Sequence, residues 1–446
     1  MFGQDISMVY GTDGYPIFSY TSHQGFTVNL STLHCTSIDC STFGSPKIIY
    51  DENIPDKSSI VIGSDGFPVI SFATTSLGYD GLFFIHCTTI DCSAYDDPIL
   101  LDGDGHVDGN PSVIIGTDDM PAIAYLAGPS NFDINLRFIH CTELDCSLFD
   151  DPIILDPSEE GFFFEMIKGQ NGLPVVAYSP AFSGGIFFLS CGNNQCTTKS
   201  VETLIETGVF ENSMSVNIGS DGFPILLIGN GPLNFLHCLD SACSEFDPLA
   251  ELDTTNFEFR YPSIATGYDG YPIILYNENL EETKMKFIHC NSLTCSNFSS
   301  PSQLATSSFL YDNELMLNSN HFPSIGFNNS TLTFIQCNNN FCSNEDGDND
   351  GDGIQNIFDN CPENSNVNQE DTDGDNLGNL CDPLNTIMTN TIISQNATLG
   401  NMTVKNNSVL TISSGITLTL TSGSNLTIES GSGVLIKSGA SLKIKS

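Results

Sequence analysis

The sequence predicts an all-β protein: a seven-bladed β-propeller, then an acidic linker, then a short β-solenoid. Three observations carry this. Cysteine pairs with four residues between partners recur seven times at a period of 47 to 54 residues. Ahead of each pair lies a tight-turn dipeptide followed by proline, and no helical period appears anywhere. After residue 400, aliphatic residues repeat every eighth position.

The repeat is clearest in its second copy, Ile60 to Cys92. There the predicted strands are Ser59–Gly63, Pro68–Phe72, Leu82–Cys87 and Pro98–Asp102. The turns are Asp13-Gly14, Asp65-Gly66, Asp118-Asp119, Asn171-Gly172, Asp221-Gly222, Asp269-Gly270 and Asn320-His321. Asp and Asn tolerate positive φ and Gly adopts it freely, which suits tight hairpins. A proline opens each second strand (Pro16, Pro68, Pro121, Pro174, Pro224, Pro272, Pro323), a position where its missing N–H is tolerated. Four strands repeated at this length are the pattern of a propeller blade, with a linear stack of sheets as the competing architecture. The seventh copy lacks a fourth strand, and Met1–Asp5 is too short to supply it. A truncated N-terminus would account for that and for the missing export signal.

All sixteen cysteines fall into local pairs: Cys35 and Cys40, Cys87 and Cys92, Cys141 and Cys146, Cys191 and Cys196, Cys238 and Cys243, Cys290 and Cys295, Cys337 and Cys342, then Cys361 and Cys381. An even count points to disulfides and an oxidising compartment. Zinc is the rival, but its sites, with gaps of two to four residues, bring two pairs together, whereas here each short pair lies 47 to 54 residues from the next. Each short ring adds roughly 2 kcal/mol by the loop-length relation, and its pair should clamp the hairpin between the third and fourth strands.

Twelve basic residues against 54 acidic ones give a net charge of -42. That argues against nucleic acid, whose phosphates are bound through Lys and Arg. No stretch is apolar enough for a direct membrane span. After Asp382 the balance reverses, with Lys405, Lys437, Lys443 and Lys445 against Glu429, and the domains divide as 1–343, 344–383 and 384–446.

The linker carries the strongest chemical pattern. Asp348, Asp350, Asp352, Asn356 and Asp359 fall at positions 1, 3, 5, 9 and 12 of a loop whose carbonyl at position 7 is that of Ile354. Asp371, Asp373, Asp375, Leu377 (through its carbonyl), Asn379 and Asp382 repeat the spacing. Calcium takes six to eight oxygens, and alternate carboxylates around a sharp turn can wrap one ion. A solvated acidic linker is the plainer alternative. Residues 346–382 resemble a thrombospondin type 3 repeat, running from Asp-Asn-Asp-Gly-Asp-Gly-Ile through Cys361-Pro362 to Leu380-Cys381-Asp382. The resemblance implies Ca2+ at those twelve positions, a Cys361–Cys381 bridge, and an extracellular setting. The propeller copies are more weakly similar to Gly-x-Asp-Gly-x-Pro repeats of secreted bacterial and archaeal surface proteins.

In the last segment Met402, Leu410, Leu418, Leu426, Val434 and Leu442 keep a strict period of eight, as do Val404, Ile412, Leu420, Ile428, Ile436 and Ile444. That register suits stacked solenoid coils, whereas a disordered linker has no reason to keep it.

No catalytic motif is found, and the protein is expected not to be an enzyme. His34, His86, His140, His237 and His289 precede cysteines in five copies, and that recurrence predicts packing residues rather than bases. The insertion holding Asp102, Asp104, His106 and Asp108 is a possible extra cation loop. Glu159 and Glu160, beside Phe162–Phe164, form a fainter acidic candidate. Only Arg137 and Arg260 lie in the propeller, too few for a sialidase-like arginine cluster. The expected function is extracellular adhesion or recognition of a cell-surface or matrix protein or glycan. A secreted glycosidase or lyase and a structural envelope protein are the alternatives.

Overall fold

The computed structural model describes residues 3–342 apart from short stretches between strands. Beyond 342 it describes residues 360–361, 364–367, 378, 381, 385–387, 391–393, 397–399, 402–405, 408–420 and 425–444. The chain divides into two compact units, the propeller and a unit holding Ser343–Ser446.

Six four-stranded antiparallel sheets and one three-stranded sheet occupy the first unit, each built from consecutive strands. In the second sheet these are Pro55–Ile62, Pro68–Thr74, Gly81–His86 and Ile99–Asp102. The first of them starts ahead of the predicted Ser59, because a bulge between Pro55 and Ser58 carries the strand past its polar beginning. The first strands of the sheets touch in turn: Gly3–Tyr10, Pro55–Ile62, His106–Ile115, Phe162–Lys168, Met214–Ile218, Phe259–Thr266 and Leu310–Leu317. The seventh returns to the first, so the ring closes as a seven-bladed propeller.

Second strands are buried along almost their whole length, as in Pro68–Thr74 and Pro272–Glu278. They lie mid-blade with a neighbouring sheet on each face, which explains why they read as near-continuous apolar runs. Seven apolar clusters fill the seven junctions between blades. At the last, Ile6, Met8 and Phe18 meet Met316, Leu332 and Phe334, with Phe18 edge-on to Phe334 at 5.9 Å. Among the described residues the seventh blade has three strands, all contiguous in sequence, and Tyr10 Oη meets Ser324 Oγ at 2.5 Å across its junction with the first blade.

Every first turn places a residue at positive φ. Gly66 does so at 88°, while Asp119 (66°) and His321 (61°) hold the same place without glycine's freedom. The Asp before it folds back, as where Asp65 Oδ1 accepts the Phe67 N–H at 3.1 Å. The predicted disulfides join Cys35–Cys40, Cys87–Cys92, Cys141–Cys146, Cys191–Cys196, Cys238–Cys243, Cys290–Cys295, Cys337–Cys342 and Cys361–Cys381. As expected, the seven short bridges sit in the hairpin connection between the third and fourth strands of each blade, or, in the seventh, just after its third strand. Both sulfurs of each lie in the single connection after the third strand, and the second cysteine sits at φ 48 to 57°. Antiparallel topology puts these connections and the first turns at one end of the ring.

In the second unit three parallel three-stranded sheets stack coil on coil. Met402 pairs with Leu426, Leu410 with Val434 and Leu418 with Leu442, each 24 residues on, so three eight-residue steps make one coil. Met402, Val404, Leu410, Ile412, Leu418 and Leu420 are buried at its centre.

Candidate functional site

A cavity of about 280 Å³ lies where the seven first strands converge. One position, four residues before the Gly or Asn that opens the turn, contributes from every blade: Ser7, Ser59, Ser112, Glu165, Ser215, Ser263 and Glu314. First strands of adjacent blades are not joined in a ladder, so their backbone groups need other partners. The ring position supplies them. Ser7 Oγ accepts the Ile60 N–H at 3.3 Å, Ser59 Oγ that of Val113 at 3.2 Å, and Ser263 Oγ that of Leu315 at 3.2 Å. Ser112 Oγ donates to the Met166 carbonyl at 3.2 Å, and Glu165 Oε2 accepts the Val216 N–H at 2.8 Å. In each case the bond runs from one blade to the next.

Glu165 is the electrostatic exception in this ring. Burial pushes its carboxyl up to about 7, against hydrogen bonds from Val216 and Ser215 that pull it down. Lys57 also borders the cavity and forms no ion pair among the described residues. Bulges interrupt five of the seven first strands just before the ring position. In the sixth blade the bulge holds Tyr261 at φ 51°, an outlier for so bulky a side chain. Its carbonyl accepts from Asn313 Nδ2 at 2.8 Å.

The recurrent histidines are neither bases in this cavity nor simple packing residues. At the turn end of the ring, His86 Nε2 meets Asp65 at 2.9 Å and Nδ1 meets Asp96 at 2.7 Å. His237 bridges Asp221 at 2.8 Å and Asp247 at 2.7 Å, and His140 bridges Asp118 and Asp150. Each ties its blade's first turn to the disulfide connection. The two carboxylates sit on opposite ring nitrogens, so they do not converge on an ion. The Asp221 hydrogen bond raises His237 above its ordinary value, against burial that lowers it. For His86 burial lowers the ring, but Asp96 and Asp65 together more than offset it. Sequence reasoning missed both features, although an Asp follows the histidine by ten residues in three copies and the Ser or Glu four before the turn keeps its offset in all seven.

Of the expected cation loop, the described side chains are those of Asp102 and His106. Asp102 is buried, and its Oδ2 accepts from Tyr125 Oη at 2.7 Å and Arg137 Nη1 at 2.9 Å, which locks a blade junction. His106 pairs with Asp80 at 2.7 Å. Asp104 lies outside the described residues. Asp108 lies in the strand His106–Ile115, its side chain outside them. Glu159 and Glu160 also lie outside, as do all twelve calcium positions: Asp348, Asp350, Asp352, Ile354, Asn356, Asp359, Asp371, Asp373, Asp375, Leu377, Asn379 and Asp382. Around the Cys361–Cys381 bridge, Gly378 N–H donates to the Asn360 carbonyl at 2.8 Å and Asn366 Nδ2 to Asn360 Oδ1 at 2.6 Å. Among the described residues no cluster of three or more His, Cys, Asp or Glu is placed to hold a metal. Among them, too, no helix is long and apolar enough to cross a membrane.

No protein of curated function matches the chain by sequence. An ulvan lyase of polysaccharide lyase family PL25 is similar in structure, with a TM-score of 0.54 at 10% identity, over 75% of this chain and 94% of the lyase. The periplasmic gluconolactonase of Pseudomonas aeruginosa gives 0.49 at 12% identity, over 74% and 88%. A protein of unknown function from Dyadobacter fermentans gives 0.46 at 12%, over 63% and 91%. At such identities the likeness shows the fold alone. Residues 340–369 match the thrombospondin type 3 repeat, and with the closed ring before them the chain is a seven-bladed β-propeller carrying such a repeat at its end.

Proposed function

We propose that the protein acts outside the cell as a calcium-binding recognition protein, its propeller engaging a glycan or protein of a cell surface or matrix. The observation that supports this most is the near-sevenfold ring around the cavity, in which Ser7, Ser59, Ser112, Glu165 and Ser263 each bond to the next blade rather than standing as a nucleophile and base. Eight disulfides suit an oxidising medium. The carboxylates at 348, 350 and 352 and at 371, 373 and 375 are hard oxygen donors at alternate positions, a set that fits calcium. With Asn356, Asp359, Asn379, Asp382 and the carbonyls of Ile354 and Leu377, they would hold the ion and stiffen a segment with few apolar groups of its own. Screening the full chain against glycan and protein arrays, with calcium and with a chelator, tests the reading. Absence of any retained ligand in both conditions refutes it.

One observation favours a second reading, a secreted glycosidase or lyase. Glu165, pushed up to about 7, and Glu314 border the same cavity, and propellers host such enzymes. Release of reducing ends or unsaturated products from a polysaccharide panel, abolished by Glu165→Gln, would replace recognition with catalysis.

A further inference from the structure

We propose that the central cavity is a binding site for one neutral sugar ring of a glycan, set against Tyr261 and Phe163 and hydrogen-bonded to Glu314 and the serine ring. The inference rests on the recognition reading above and adds its place and ligand class. Size comes first. At about 280 Å³ the space lies at the bottom of the range for small-molecule sites, enough for one ring and not for an extended chain.

The lining supplies what a pyranose needs. Ser7, Ser59 and Ser263 accept backbone N–H groups through their oxygens, and each hydroxyl keeps its own proton to donate. Glu314 brings carboxylate oxygens that can accept from a vicinal pair of hydroxyls. Tyr261 and Phe163 border the same space and supply the aromatic surface against which the C–H face of a sugar ring packs. Phe163 is 39% exposed, a large aromatic left open where a buried place would be its ordinary lot.

Tyr261 is the independent sign. A tyrosine held at φ 51° costs backbone energy that glycine would not incur, and such strain is retained where it aims a side chain. The bulge around it, one of five facing the cavity, is a device for re-aiming side chains. Charge selects the class. A chain of net charge -42, with two glutamates at the site and Lys57 alone against them, repels polyanions and leaves neutral sugars as the ligand.

The test is titration calorimetry of the full chain in calcium buffer, using neutral gluco-, galacto- and manno-oligosaccharides beside uronate-containing ones. Two variants, Tyr261→Gly and Glu314→Gln, are carried alongside and their unfolding temperatures recorded. Glycine adopts positive φ freely, so Tyr261→Gly is expected to melt within a few degrees of wild type while binding neutral sugar about tenfold more weakly. Glu314→Gln is expected to weaken binding about tenfold with the fold intact. Neutral binding lost in both folded variants supports the site. Neutral binding untouched by either overturns the cavity but leaves glycan recognition elsewhere on the propeller. Preference for uronates overturns the ligand class, and no saccharide binding at all overturns the site together with the glycan part of the recognition reading.

Discussion

Replacing Glu165 by glutamine should make the propeller more stable in alkali and leave it unchanged in acid. The carboxylate is enclosed by the first strands and accepts the Val216 N–H at 2.8 Å, a bond that the amide oxygen of glutamine can keep. Burial raises its pKa from 4.5 to about 7, so the folded state holds its proton more tightly than the unfolded chain does. The stability this brings is complete below 4.5 and is lost as pH rises through 7. A displacement of that size is worth about 3 kcal/mol between the two limits. A propeller of this length has an unfolding entropy of roughly 0.7 kcal/mol per kelvin, which turns the energy into about 4 °C. Calorimetric melting at constant ionic strength and calcium should therefore show coincident transitions at pH 4.5. At pH 8 the variant should lead by about 4 °C. A gap that stays constant from pH 4.5 to 8 would refute a carboxylate desolvated by the closed ring.

Four further outcomes are expected. His237→Gln should lower the unfolding temperature more at pH 5.5 than at pH 8.5, because a histidine raised by Asp221 contributes stability below its ordinary 6.5 that fades at higher pH; melting both proteins across pH cancels the effect of net charge common to them. Phe18→Ala should cost about 3–5 kcal/mol in chemical denaturation, since Phe18 is fully buried at the junction that closes the ring. Gly66→Ala should destabilise by about 1–2 kcal/mol in the same assay because its φ of 88° forces a Cβ into the left-handed region, whereas Asp119→Gly at the matching turn should be tolerated. Chelation should expose 345–382 to protease while the propeller's transition stays within about 2 °C, followed by limited proteolysis and calorimetry.

The repeat was legible because its landmarks are chemically extreme: prolines, turn residues and cysteines each admit few alternatives. Blade count, strand order and the eight-residue step of the final coils follow from such landmarks. Polar groups inside the strands were harder to read. Ser59 looks like an ordinary solvent-facing residue until Val113 of the next blade is seen donating to it, and only closure of the ring supplies that partner. Asp102 misled for the same reason. Beside Asp104 and Asp108 it belongs to a ligand pattern, yet Tyr125 and Arg137 claim it from another sheet. His86 kept a visible distance from Asp96, but its second carboxylate reaches it from an earlier turn. Adjacency in space decided all three.

Because each described blade is one unbroken length of chain and none lends a strand to its neighbour, the order in which blades are translated is not dictated by the ring. New termini opened at any junction, with the seventh blade joined to the first, would leave the side-chain bonds between the other blades in place. Excising one blade would instead leave Ser or Glu facing a neighbour of the wrong pitch. The molecule should accept circular permutation and refuse a change in blade number.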